Sequence, residues 1–169
     1  MDKQVIKISL TEISPLINGC LNDGLDVTFT VTGNSMQPLL QHNRDQVVLT
    51  KAEAGELKKG DVPLYIRRSG QYVLHRIVDV QQGVFTMMGD AQTCQEKGIL
   101  PDQIVAVAKG FYRKGKYIDC QSSGYRRWVS LWWHLRSLRP RLLRAHQLLK
   151  RLTDRKNGNE ESDGTKMDI

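Results

Sequence analysis

The sequence predicts a mainly β protein with an N-terminal helix and a basic C-terminal helical tail. Residues 27–119 contain many short runs of β-branched and aromatic residues, separated at regular intervals by Gly, Asn and Asp, which is typical of a sandwich or barrel. Apolar residues recur at helical spacing over 8–21 and again over 125–152. A length of 169 residues is enough for one domain with its own core and a modest appendage.

The first predicted element is a helix over 8–21, inside an N-terminal segment of residues 1–24. Its apolar stripe consists of Ile8, Leu10, Ile13, Leu16, Ile17 and Leu21. Thr11 has the character of a capped start, which would place Pro15 in the first turn of the helix. Gly24 ends the pattern.

The central predicted domain covers residues 25–120 and consists of short strands. Apolar residues alternate with Thr over 27–31, which predicts the first strand, and Gly33 and Asn34 end that strand in a turn. The strands predicted after this turn cover 47–49, 62–66, 72–80, 84–88, 104–107 and 111–112.

The positive charge of the chain is concentrated near its C-terminus. The net charge is +7 and the pI about 9.5, and residues 126–151 contain many Arg and Lys but no Asp or Glu. The Trp and Leu residues of 125–152 predict a helical segment that Pro140 kinks or splits. Residues 153–169 are polar and are predicted to be disordered.

Two interpretations of the segment 125–152 stay open at this stage. Its Trp, Leu and Arg residues suit peripheral binding to an anionic membrane, and the same Trp and Leu residues equally suit packing on the β domain. Nucleic acid ranks below both as a partner, because the chain has no DNA-binding motif. Since no signal peptide and no long apolar run occur, we expect a cytoplasmic protein, with any membrane contact at the inner face.

The three cysteines are widely scattered, at Cys20, Cys94 and Cys120. They form no CxxC motif and no Cys/His cluster, so the sequence predicts reduced thiols, no metal site and no cofactor.

Ser35 is the candidate nucleophile. It follows Gly33 and Asn34 at the end of a predicted strand, where a tight turn exposes its hydroxyl and brings its own N–H towards a substrate carbonyl. A serine in such a turn is ordinarily only a turn residue. The surrounding motif is what favours catalysis.

Several motifs resemble those of the signal peptidase I-like serine peptidases, in the order in which that family carries them. Gly33-Asn34-Ser35-Met36-Gln37-Pro38 resembles the Gly-x-Ser-Met-x-Pro box of the nucleophile. The further boxes are Arg44-Asp45-Gln46-Val47-Val48, Gly60-Asp61-Val62, Leu74-His75-Arg76-Ile77-Val78 and Gly89-Asp90-Ala91-Gln92. The resemblance covers about residues 25–110 and implies the signal-peptidase/LexA-like β fold and serine endopeptidase activity.

The resemblance implies that His75 is the general base. Bacterial housekeeping signal peptidases and LexA-like repressors have Lys at this position, whereas His resembles the endoplasmic-reticulum and archaeal subtype. A neutral imidazole accepts the proton of Ser35 without the burial that a lysine needs to lose its charge.

Two acidic residues are predicted to support the Ser35–His75 pair. Asp90 matches the acidic residue of the Gly-Asp box, and Glu96 matches the later acidic position that orients the imidazole in the endoplasmic-reticulum type. A carboxylate in that role holds the imidazole in the productive orientation. Asp90 has the alternative role of holding its turn by accepting backbone N–H groups. The sequence does not separate the two assignments.

The chain departs from the family in two respects. Gly33 stands where signal peptidases often have a serine that assists the oxyanion, so the oxyanion would rely on the Ser35 N–H or on Thr32. The sequence also leads us to expect no N-terminal membrane anchor of the kind those enzymes carry, because it contains no long apolar run. The predicted substrate is a peptide or precursor protein, and the alternatives are a LexA-like self-cleaving regulator and a non-catalytic peptide-binding domain. The stretch before Val27 is too short for a helix-turn-helix, which disfavours the repressor alternative.

Overall fold

The computed structural model describes residues 10–134, and its architecture is mainly β with a helix at each end, as predicted. Helix α1 (Leu10–Asn22) precedes the strands and helix α2 (Ser123–His134) follows them. The strands are β1 (Val27–Thr30), β2 (Gln46–Lys51), β3 (Pro63–Ile66), β4 (Tyr72–Leu74), β5 (Arg76–Gln81), β6 (Val84–Met88), β7 (Glu96–Ile99), β8 (Ile104–Arg113) and β9 (Lys116–Asp119). Short 3₁₀ turns cover Ala54–Glu56 and Pro101–Gln103.

The strands form two antiparallel sheets. The larger sheet has the order β1-β2-β8-β3-β4, with β9 also paired to β8, and the smaller sheet has the order β5-β6-β7. One edge of β8 pairs with β2, while its other edge pairs first with β3 and then with β9. Strands β1 and β4 therefore lie at the two ends of the larger sheet.

Each sheet has its own core of buried apolar residues. The core of the larger sheet includes Ile17 and Leu21 of α1 together with Met36, Leu39 and Leu40 from the turn after β1. The second core consists of Ile77, Phe85, Met87 and Ile99 of the smaller sheet together with Tyr65 of β3. Because three of its side chains are buried, the turn that carries Ser35 is anchored to the first core.

The predicted single strand over 72–80 is wrong, because the chain changes sheets at His75. Residues up to Leu74 pair with β3 in the larger sheet, whereas residues from Arg76 onwards pair with β6 in the smaller one. His75 belongs to neither ladder and lies between β4 and β5. Periodicity alone could not locate this break, since Val73, Leu74, Ile77 and Val78 all suit a strand.

The end of the β region also differs from the prediction. The two short strands predicted at 104–107 and 111–112 are one ten-residue strand, β8, and β7 and β9 were not predicted. Gly110, between the two predicted strands, lies within β8, and the ring of Tyr117 occupies the space where its Cβ would be. A glycine inside a strand often marks such a close approach.

Helix α1 lies close to its predicted range, although residues before Leu10 lie outside the described part. Pro15 is the sixth residue of the helix and not part of its first turn. Ile17 and Leu21 are buried as predicted, but Leu16 points outwards and is 69% exposed.

Helix α2 begins with residues that pack on the β domain. Tyr125 is buried and Trp128 packs against the core of the larger sheet. Residues 10–130 belong to one compact unit, which holds every residue of the site described below. The predictions of a basic helical segment beyond residue 134 and of disorder at 153–169 lie outside the described residues. Between residues 10 and 134, no helix is both long and apolar enough to cross a membrane.

Candidate active site

The turn between β1 and β2 presents Ser35. Gly33 has a φ of 91°, which a side chain would strain, and its N–H donates to Nδ1 of His42 at 2.8 Å. Asn34 Oδ1 accepts from Gln37 Nε2 at 2.7 Å, which closes the turn around Ser35. Ser35 itself is half-buried, and within residues 10–134 neither its N–H nor its hydroxyl makes a hydrogen bond.

The Gly-Asp box holds this turn from the other side. The N–H of Ala91 donates to the carbonyl oxygen of Ser35 at 2.8 Å. Gly89 lies directly behind that oxygen, because a Cβ at Gly89 would come within 2.6 Å of it. The glycine of this box is therefore required for close approach of the backbone to Ser35, while its φ is ordinary.

His75 is buried where the chain changes sheets, with 3% of its surface exposed. Burial, reinforced by the positive charge of Arg67, lowers the pKa of its imidazole to about 4. The ring is therefore neutral at neutral pH. Its Nδ1 lies 3.3 Å from the hydroxyl of Tyr65, and in the described part of the chain its Nε2 has no hydrogen-bond partner.

Ser35 and His75 line the same open cavity, which has a volume of about 360 Å³. The structure thus brings together the two residues that the sequence predicted as nucleophile and base. Thr32 and Gln92 line the cavity as well. A smaller apolar cavity of about 90 Å³ adjoins it, sharing four lining residues: Val31, Thr32, Tyr72 and Leu74.

Asp90 does not contact the imidazole. Both of its carboxylate oxygens accept from Arg76, at 2.8 Å from Nε and at 2.6 Å from Nη2. Arg76 is also fully buried, and its Nη1 donates to the carbonyl oxygen of Gly60 and to the hydroxyl of Tyr125. In this arrangement Asp90 compensates a buried arginine, a role different from either of those predicted for it.

Glu96 reaches His75 through an intervening tyrosine. Its Oε2 accepts from the Tyr65 hydroxyl at 2.7 Å, and this is the hydroxyl that lies against the imidazole. Arg67 binds the same carboxylate, donating from Nε to both oxygens at 2.9 Å and from Nη2 to Oε2 at 2.7 Å. Hydrogen bonding to Arg67 lowers the pKa of Glu96, so the carboxyl group is ionised.

Neither a protein-family model nor a curated protein matches this chain. The resemblance to signal peptidases therefore rests on the motifs themselves, and the geometry of the site stands independently of it.

Three residues of this site were not predicted from the sequence. Tyr65 and Arg67 lie on and just after β3, in a run that predicts only a buried strand, and His42 lies in the turn before β2. The one available signal was the hydroxyl of Tyr65 inside an apolar run, because a buried tyrosine usually finds a hydrogen-bond partner.

Between residues 10 and 134 no group of three or more His, Cys, Asp or Glu side chains could hold a metal ion.

Proposed function

We propose that this protein is a serine endopeptidase in which Ser35 is the nucleophile and His75 is the general base. The observation that carries the proposal is that both residues line one cavity. Within residues 10–134, neither the hydroxyl of Ser35 nor Nε2 of the neutral His75 has a hydrogen-bond partner. The ordered series of signal-peptidase-like motifs supports the same assignment.

The chemistry follows from these two groups. Ser35 Oγ attacks the peptide carbonyl carbon while its proton passes to Nε2 of His75, and the carbonyl oxygen becomes an oxyanion. The N–H of Ser35, which makes no hydrogen bond within residues 10–134, is a backbone donor for that oxyanion, whereas the N–H of Gly33 is already donated to His42. The imidazolium then gives its proton to the leaving amine, which breaks the peptide bond and leaves an acyl-enzyme. Water, deprotonated by His75, hydrolyses the ester and restores Ser35.

The substrate that fits this cavity is an extended peptide segment. Strands β1 and β4 are the end strands of the larger sheet, and residues next to both line the cavities beside Ser35. An extended segment can pair its backbone with such an edge while alternate side chains enter pockets. The adjoining cavity of about 90 Å³, walled by Phe29, Leu49 and Leu64, suits a small apolar side chain. Peptides or precursor proteins with small residues before the cleavage site are therefore the proposed substrates.

Location and membrane contact stay predictions of the sequence. A cytoplasmic enzyme that meets the inner face of an anionic membrane through residues 125–152 would act on precursor or leader peptides on that side. Arg126 and Arg127 of α2 are exposed and available for such contact, while Trp128 is used in packing.

The test is covalent labelling by a serine-acylating lactone, followed by intact-mass measurement of the full chain. We expect one adduct on the wild-type protein and none on Ser35→Ala or His75→Gln. Ser69→Ala, which changes an exposed serine in the turn between β3 and β4, is the matched control and should label like the wild type.

The same four proteins are then incubated with peptides that carry small residues before the cleavage site. Cleavage by the wild type and Ser69→Ala alone supports the endopeptidase. A folded wild-type protein that takes no adduct and cuts no peptide would refute the proposal and favour a non-catalytic peptide-binding domain. Mass loss of the chain itself during incubation would instead favour a self-cleaving regulator.

A further inference from the structure

The hydroxyl of Tyr65 lies between a carboxylate and an imidazole, and both are held in place. Its oxygen is 2.7 Å from Glu96 Oε2 and 3.3 Å from His75 Nδ1. Tyr65 and His75 are both buried, which shields the contact between the phenol and the imidazole from bulk water, while Glu96 is partly exposed. A hydroxyl has one hydrogen to donate, which means that it donates to one neighbour and accepts from the other.

The single hydrogen of Tyr65 belongs to the bond with Glu96. The carboxylate is ionised because Arg67 donates to it from two nitrogens, and an ionised carboxylate can only accept. Burial raises the pKa of Tyr65, so the phenol keeps its hydrogen. The 2.7 Å distance is that of a charge-assisted O–H···O⁻ bond, stronger than the longer contact with the imidazole.

The oxygen of Tyr65 therefore faces the imidazole with a lone pair. A nitrogen facing that lone pair at 3.3 Å forms a hydrogen bond only if it carries a hydrogen itself. In a neutral imidazole only one nitrogen is protonated.

We infer that the Glu96–Tyr65 pair holds His75 as the Nδ1–H tautomer and so leaves Nε2 unprotonated and able to accept a proton. Tyr65 is thereby a positioning residue, and Glu96 acts on the imidazole through it and not by direct contact. Arg67 neutralises the charge of Glu96, so the carboxylate selects the tautomer without placing an uncompensated negative charge beside the ring.

This inference deepens the proposed function, but the tautomer is a property of the free protein and is measured without a substrate. Long-range ¹H–¹⁵N correlation spectra of the uniformly ¹⁵N-labelled chain distinguish a protonated from an unprotonated ring nitrogen at both positions. The spectrum of His75→Gln identifies the signals of His75 among the four histidines. We expect a protonated Nδ1 and an unprotonated Nε2 at neutral pH.

Two variants test the cause of this preference. Tyr65→Phe removes the lone pair, and Glu96→Ala leaves the Tyr65 hydrogen free to turn towards Nδ1, so each should shift His75 to the Nε2–H form. Tyr72→Phe is the matched control, because Tyr72 lines the same cavity but its hydroxyl hydrogen-bonds to Ser14. It should leave the tautomer unchanged. The lactone acylation rate should fall on the order of 10²- to 10⁴-fold in Tyr65→Phe.

The inference and the proposed function fail separately. An Nε2–H form in the wild-type spectrum, or an unchanged tautomer in the folded Tyr65→Phe and Glu96→Ala variants, overturns the inference even if Ser35 is acylated. The expected tautomer in a protein that takes no adduct leaves the inference standing and removes the peptidase. If Tyr65→Phe does not fold, the wild-type and Glu96→Ala spectra decide the matter.

Discussion

Arg76 and Asp90 meet through two parallel hydrogen bonds of 2.8 and 2.6 Å, with both side chains buried. Each of the two residues is adjacent in sequence to a residue of the candidate site. Arg76 directly follows His75, and Asp90 directly precedes Ala91, whose N–H holds the carbonyl of Ser35 at 2.8 Å. Because this geometry connects His75 to the turn of Ser35, we expect a change at Arg76 or Asp90 to affect the alignment of the proposed base and nucleophile.

Asp90→Asn should strongly destabilise the protein. The substitution leaves the buried guanidinium of Arg76 without its countercharge, which costs about 3–5 kcal/mol of unfolding free energy. Urea denaturation of the variant and the wild type measures this difference. Asp26→Asn, which breaks the exposed pair with Lys109, is the control and should change stability far less. Equal effects of the two substitutions would contradict a special role for the buried pair.

Gly89→Ala should impair acylation of Ser35 while the protein stays folded. A Cβ at this position would lie 2.6 Å from the Ser35 carbonyl oxygen, so the turn has to move away. A displacement of that kind lowers the rate on the order of 10²-fold. Stopped-flow acylation measures the rate, and circular dichroism checks the fold. Gly55→Ala, at a position with open space around it, should react like the wild type. A normal rate in Gly89→Ala would show that the contact with Ser35 is dispensable.

Acylation of Ser35 should keep its rate down to about pH 5 and fall as the pH approaches 4. The pKa of His75 is lowered to about 4 by burial and by Arg67, while Glu96 and Asp90 oppose the shift and Tyr65 faces the ring. In the proposed mechanism the neutral imidazole is the base, so the rate should be lost as falling pH protonates it. The measurement is the acylation rate against pH. An inflection near 6.5, the ordinary value for histidine, would contradict a buried base.

Arg67→Gln should move that inflection to higher pH. The substitution removes a positive charge that lowers the pKa of His75 and also leaves the negative charge of Glu96 uncompensated. Both changes favour the imidazolium. Arg68→Gln, which alters an exposed neighbouring side chain, is the control for the pH profile. An identical profile for the two variants would argue against Arg67 as the cause of the shift.

Tyr125→Phe should weaken the attachment of α2 to the β domain. The Tyr125 hydroxyl accepts a hydrogen bond from Arg76 Nη1 at 2.9 Å, and a bond to a charged group is worth about 1.5–3 kcal/mol. Chemical denaturation should show a loss of unfolding free energy in that range. Tyr117→Phe, at a half-exposed tyrosine of β9, is the matched control and should be nearly neutral. A neutral Tyr125→Phe would mean that the hydroxyl of Tyr125 does not contribute to stability.

Local patterns predicted the parts of this protein that depend on neighbours in the chain. Alternation of apolar and polar residues located β1, helical spacing located α1, and glycine-containing pairs located the turns. The motif around Ser35 selected the turn that the structure places in the cavity beside His75. Each of these signals spans only a few residues, so a single sequence is enough to reveal it.

Pairing between distant segments explains why two strand predictions, the single strand over 72–80 and the two short strands over 104–112, were wrong. The break at His75 arises because residues on its two sides pair with different sheets, although all of them suit a strand. The ten-residue β8 contains Gly110, whose missing side chain is explained only by the ring of Tyr117 against it. The local composition does not indicate which strands the residues around His75 pair with, nor that β8 continues through Gly110.

The sequence by itself determined the mainly β class, the flanking helices and the identity of a candidate nucleophile and base. Only the tertiary structure decided that Asp90 binds Arg76 and that Glu96 reaches His75 through Tyr65. The physical reason is that a carboxylate binds the donors that the folded chain brings near it. For Glu96 those donors lie on and beside β3, about thirty residues earlier in the chain.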